Sequence, residues 1–156
     1  MKCRSLIISL TLLLFSGAFC FAGLARAQTG GAPTSALDQM ITGGKQMMSA
    51  NKAMSAKMEK MMGKKDPELQ KCQTMMSTGY DMMDKAKPMM ATNKVEAQRM
   101  AAKGAKMMLD AQNLASVECN KKGMAKDCGM EMTECSAAAN KVKEGALQWF
   151  FGGTGM

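Results

Sequence analysis

Methionine recurs along this chain at helical spacing. Met40, Met47, Met54 and Met61 are seven residues apart, and Met48, Met58 and Met62 fall between them. With about 100° of turn per residue, these seven side chains occupy an arc of roughly 140° on one helix. That stripe predicts a helix from about Ser35 to Met62, with a face that must be buried against other helices. Strand-like alternation is found nowhere, and the β-branched residues that would support it are few. Methionine has also displaced the ordinary aliphatics: beyond Ala27 the chain holds 20 methionines, against five Leu, one Ile and three Val.

Three more helices follow from caps and breakers. Gly63 to Asp66 ends the first. Asp66-Pro67-Glu68 opens the second, with a capping carboxylate, a proline at the first helical position and an acid at the positive end of the helix dipole. Leu69, Cys72, Met75, Met76, Met82 and Met83 line its face, and Pro88 should stop it near Lys87. The third starts at Pro88 or at Asn93, where Asn93 and Glu96 form a capping pair. Its inner face reads as Met100, Gly104, Met107, Ala111 and Leu114, and it ends near Asn120 before Gly123. The fourth carries Met124, Cys128, Met132, Cys135, Ala139, Val142, Ala146 and Trp149 at steps of three and four, with Phe150 and Phe151 joining Trp149 as an aromatic plug. Four amphipathic helices with short links predict an all-α, antiparallel four-helix bundle with a methionine-rich core over 35–151. Residues 152–156 form a Gly-rich tail.

The first 27 residues read as a secretory signal peptide. Lys2 and Arg4 precede an apolar run from Leu6, and Ala25-Arg26-Ala27 supplies a small-x-small cleavage site. Residues 28–34 form a polar leader to the bundle. Export places the protein in the periplasm or outside the cell, with no stable membrane span after cleavage. Losing Lys2, Arg4 and Arg26 takes the 21 basic residues to 18 against 13 acidic, a net charge of +5. The lysines are spread along the chain with few aromatics among them, which disfavours nucleic acid as a partner.

Four cysteines remain beyond the leader: Cys72, Cys119, Cys128 and Cys135. In an up-down-up-down bundle all four fall toward one end. Cys128 and Cys135 are separated by roughly 10 Å along one helix axis, beyond disulfide reach. An even count in an exported chain favours disulfides, and the expected pairs are Cys119–Cys128 across the Lys121–Gly123 turn and Cys72–Cys135. A site made of all four thiolates is the alternative.

The methionines carry the functional reading. Thioethers are soft, neutral ligands that favour copper(I) or silver(I) over zinc, magnesium or calcium. Met54, Met58, Met61 and Met62 stand one turn apart on one helix, and Met75, Met76, Met82 and Met83 place more sulfur on the next. The chain has no histidine, which disfavours copper(II), zinc and nickel. Lys57 and Lys60 flank the leading cluster and oppose a cation. In residue usage the chain resembles exported methionine-rich copper-handling proteins, without a motif to align. The expected function is soft-metal buffering or chaperoning with Cu(I) as cofactor and an envelope copper-handling protein as partner. The competing readings are a structural or interaction protein whose methionines are only core, and a methionine-lined groove for an apolar partner. With no histidine, no base beside a nucleophile and no phosphate loop, an enzyme is not expected.

Overall fold

The computed structural model describes residues 33–151. The expected signal peptide, residues 28–32 of the leader and the Gly152–Met156 tail lie outside them. The described residues form a helical bundle of four helices without strands: α1 (Pro33–Met62), α2 (Pro67–Met89), α3 (Lys94–Lys121) and α4 (Gly129–Phe151).

The helix ends follow local chemistry. Asp66 caps α2: its Oδ1 accepts from the backbone N–H groups of Glu68 and Leu69 at 2.9 and 3.1 Å. Its other oxygen meets Lys122 Nζ at 2.6 Å, which ties the start of α2 to the end of α3. Asn93 caps α3 by accepting from Glu96 N at 3.2 Å. Gly63 and Gly123 take positive φ, +69° and +68°, at the turns after α1 and α3, a conformation that costs glycine little. Three boundaries differ from the sequence reading. Helix α1 starts at Pro33 and so takes in Pro33 and Thr34, the last two residues of the expected 28–34 leader. Pro88 lies inside the last turn of α2, with only Met89 beyond it, so its missing N–H interrupts little. The fourth helix starts at Gly129 instead of near Met124, leaving Cys128 in the link, where its N–H bonds Met124 O at 2.9 Å.

Glycine organises the bundle into two tight helix pairs. A Cβ at Gly79 of α2 would stand 2.6 Å from Gly104 O, and one at Gly104 of α3 would meet Gly79 O. These two helices therefore touch backbone to backbone. A similar approach joins α1 to α4: a Cβ at Gly43 would lie 3.0 Å from Ala138 O, and one at Gly145 would lie 2.8 Å from Ala36 O. Between the pairs the filling is side chain. Gly44 of α1 faces Met108 Sδ of α3 and Met83 Cε of α2, both 2.9 Å from where its Cβ would be.

Burial confirms the methionine core and corrects its phase on α3. Met40, Met47, Met54, Met58, Met76, Met83 and Met108 are buried. The inner face of α3 is Ala97, Ala101, Gly104, Ala105, Met108, Ala111, Ala115 and Cys119. Leu114 is exposed, and Met100 and Met107 are only half-buried. The small residues face α2 because close backbone approach requires it. The aromatic plug is also smaller than expected. Trp149 is buried while Phe150 and Phe151 are exposed, since α4 continues through them and turns successive residues to different faces. Asn51 is fully buried on α1 with neither amide atom paired.

Candidate metal centre

Sulfur converges where α1, α3 and the α3–α4 link meet. Met54 and Met58 lie one turn apart on the buried face of α1. Cys119 occupies the last inward position of α3, and its Sγ lies 3.3 Å from both Met54 Sδ and Met58 Sδ. Cys128 approaches from the link, near enough that each thiol shifts the pKa of the other. All four side chains are buried, none more than 1% exposed. Cys72 of α2 lies near enough to raise the pKa of Cys119 further.

The thiols are held protonated. Burial, then the neighbouring Cys128 and Glu118, push Cys119 up to about 12. Burial also raises Cys128, opposed by the Cys119 thiol and by Lys57, and reinforced by Glu131 and Asp127. Cys72 is raised by burial and by Glu68. Lys57, which the sequence places as a repulsive charge beside the cluster, is engaged elsewhere: its Nζ lies 3.1 and 3.2 Å from the two carboxylate oxygens of Glu131 on α4. Glu131 is in turn held below the usual carboxylate range by its own backbone N–H and by Lys57. The ion pair thus cancels most of the local field that would oppose a cation.

The other sequence-derived positions do not join this cluster. Met61 is 48% exposed and Met62 half-buried: they are the last two residues of α1, past the buried part of the stripe. Met76 and Met83 are buried in the core and Met75 and Met82 are half-buried on α2. Their sulfurs form no contact of the Met54–Cys119 kind among the described residues.

The cysteines also depart from expectation. All four are free thiols, so neither the Cys119–Cys128 nor the Cys72–Cys135 bond is formed. Cys135 stands apart from the other three. Its thiol faces Met47 O at 3.9 Å, and burial alone raises it, to about 11. The later start of α4 explains the change: Cys128 is carried by the link to Cys119, while Cys135 lies further along a packed helix. Sequence reasoning treated thiols and thioethers as separate sets. The signal for joining them was present, since Met54, Met58 and Cys119 all lie toward the C-terminal ends of α1 and α3, which a bundle of this order brings together.

Among the described residues no group of three or more His, Cys, Asp or Glu side chains is arranged to hold a metal ion. The cluster is instead a mixed thiol–thioether set. With about 2.3 Å as the metal–thiolate length, the edges of a tetrahedral sulfur site are about 3.8 Å. The observed separations of 3.3 Å are within about half an ångström of that, a difference that flexible methionine ends can absorb. Clefts elsewhere are modest. One of about 190 Å³ between α1 and α2 is lined by Met48, Asn51, Lys52, Gln73 and Met76. A wider one of about 320 Å³ between α1 and α4 has Gln46, Glu134 and Lys141 on its walls. The methionine-lined cleft is smaller than the roughly 300–1,000 Å³ of ordinary ligand pockets. No described helix is long and apolar enough to cross a membrane.

No protein-family model matches this chain, and comparison with curated proteins and with solved structures returns no match.

Proposed function

We propose that this is an exported methionine-rich helical protein that binds a soft monovalent metal, Cu(I) or Ag(I), through thioethers, as a buffer or chaperone. The observation that carries the reading is the approach of Met54 and Met58 sulfurs to one further sulfur in a dry core, 3.3 Å away in each case. Neutral thioethers without histidine select for soft monovalent ions. The neutralisation of Lys57 by Glu131 removes the main electrostatic objection. In this reading Met61 and Met62 belong to the rim and could receive an ion from a copper-handling partner in the envelope.

The architecture that supports this is an antiparallel order of helices. Asp38 near the start of α1 pairs with Lys87 at the end of α2, and Lys57 near the end of α1 pairs with Glu131 at the start of α4. In an oxidising compartment Cys119 and Cys128 are the two thiols best placed to close as a disulfide, and thiol counting on unreduced protein tests that.

The test of the function is a copper(I) titration of reduced protein against a competing chelator. Binding tighter than about micromolar is expected, and its absence would sink the metal reading. Replacing Met54 and Met58 by leucine should weaken the tight site by about an order of magnitude or more. As a volume-conserving core change it should cost under about 1.5 kcal/mol per position. If both substitutions leave metal affinity intact, the core reading stands: the burial of Met40, Met47, Met76, Met83 and Met108 already gives methionine a packing role of its own.

A further inference from the structure

Resting on the soft-metal reading above, we infer that the ion is held by a mixed set, the Cys119–Cys128 thiol pair with the thioethers of Met54 and Met58, and that loading exchanges one proton of the pair for one metal ion.

The reason is charge. Met54, Met58, Cys119 and Cys128 are removed from water, and a monovalent cation transferred there without an anion carries a large desolvation cost. Two thioethers are neutral and cannot repay it. Glu131 is already committed to Lys57. The ionisable group that reaches both methionine sulfurs is the Cys119 thiol, and a thiolate formed on binding cancels the charge of the ion. The exchange balances as one S–H bond broken, one sulfur–metal bond formed and one proton released, with no change in oxidation state. The second thiol keeps its proton and hydrogen-bonds to the metal-bound sulfur.

The charged and titratable groups facing the pair are Lys57 of α1, Cys72 of α2, Glu118 of α3, Asp127 in the link and Glu131 of α4. A thiol that binds as thiolate gives up its proton to solvent, so the apparent affinity should rise about tenfold per pH unit.

The experiment is a silver(I) titration of the reduced processed protein, residues 28–156, in weak buffer, with an indicator dye counting protons and ultraviolet absorption reporting silver–thiolate bonds. The first equivalent should release one proton and develop the absorption. The double substitution Cys119→Ser/Cys128→Ser should remove both signals from the first equivalent. Met54→Leu/Met58→Leu should keep the proton release but weaken binding at least tenfold. Circular dichroism reports whether each variant is folded, and the proton count on the unmodified chain needs no variant. Tight binding of the first silver without a proton, at pH-independent affinity, would overturn the mixed site and leave a thioether site standing. Persistence of the proton signal after both serine substitutions would move the site to Cys72 or Cys135 and overturn the assignment. Absence of tight binding under every condition would overturn the soft-metal reading itself.

Discussion

Alanine at Gly79 should destabilise this protein although alanine is the better helix former. The added methyl would stand 2.6 Å from Gly104 O and 2.7 Å from Met108 Cγ, where ordinary contacts between heavy atoms are about 3.5–4.0 Å. Met108 can rotate away, but a backbone carbonyl cannot, so α2 and α3 must separate by roughly an ångström. Overpacking of this kind costs about 1–3 kcal/mol, and a clash with backbone belongs at the upper end. The helix-propensity gain of about 1 kcal/mol offsets part of it. The net loss should be about 2 kcal/mol, or a fall in Tm of about 6–12 °C for a domain of this size. Gly129→Ala is the control, because nothing lies within 4 Å of its Cβ position; it should be neutral or slightly stabilising. Thermal and urea unfolding followed by far-ultraviolet circular dichroism measures both. If Gly79→Ala melts at or above the temperature of the unmodified chain with the same urea dependence, the backbone contact between α2 and α3 is not as described.

Three further outcomes can be checked on the same protein. Asn51→Leu removes two buried polar atoms that have no partner and should raise stability by about 1–2 kcal/mol in urea unfolding; a loss would mean that the amide is satisfied in the native state. Asp66 has a lowered pKa: burial pulls it up, but Lys122 and the N–H groups of Leu69 and Glu68 outweigh that. Its contribution should be present above the unfolded carboxylate value of about 3.9 and lost as pH falls through the lower folded value. Asp66→Ala should therefore cost about 1–2 kcal/mol at neutral pH, with the gap between the two proteins narrowing in an acid titration. Cys119 runs the other way. Its folded pKa is raised from 9.0 to about 12, so its stabilising share is complete below 9.0 and is lost as pH rises toward 12. Alkaline unfolding should therefore set in later for Cys119→Ala relative to its own neutral-pH stability, and a thiol reagent at mildly alkaline pH should modify Cys119 only in unfolding conditions.

Much of the fold was legible in the sequence because caps and periodicity are local. Asp66-Pro67 and Asn93 set the starts of α2 and α3 where expected, and the seven-residue methionine repeat marked the buried side of α1. What periodicity could not supply was the choice between two candidate faces of α3. A ranking by hydrophobicity adds Met100, Met107 and Leu114 to Gly104 and Ala111, whereas the helix turns Ala97, Ala101, Ala105, Met108 and Ala115 inward beside those two because its neighbour demands nearness more than bulk. The site was half legible for a similar reason. Met54 and Met58 stood out by spacing, but their relation to Cys119 depends on how far α1 and α3 are offset along their axes, and no local signal encodes that offset. The start of α4 mattered too: one extra turn of link moved Cys128 toward Cys119 and left Cys135 with Met47.

The glycine contacts have a mechanical consequence. Where two backbones rest on each other there is no rotor to adjust, so α2 with α3 behaves as one plank and α1 with α4 as another. The layer between the planks is built largely of unbranched thioether chains, each with three rotatable bonds, which can slide and re-seat at little expense. Breathing of the bundle should thereby be channelled into the plane that contains the sulfurs of Met54, Met58 and Cys119, and on the proposed function that plane is the route by which an ion would reach them without any helix unravelling.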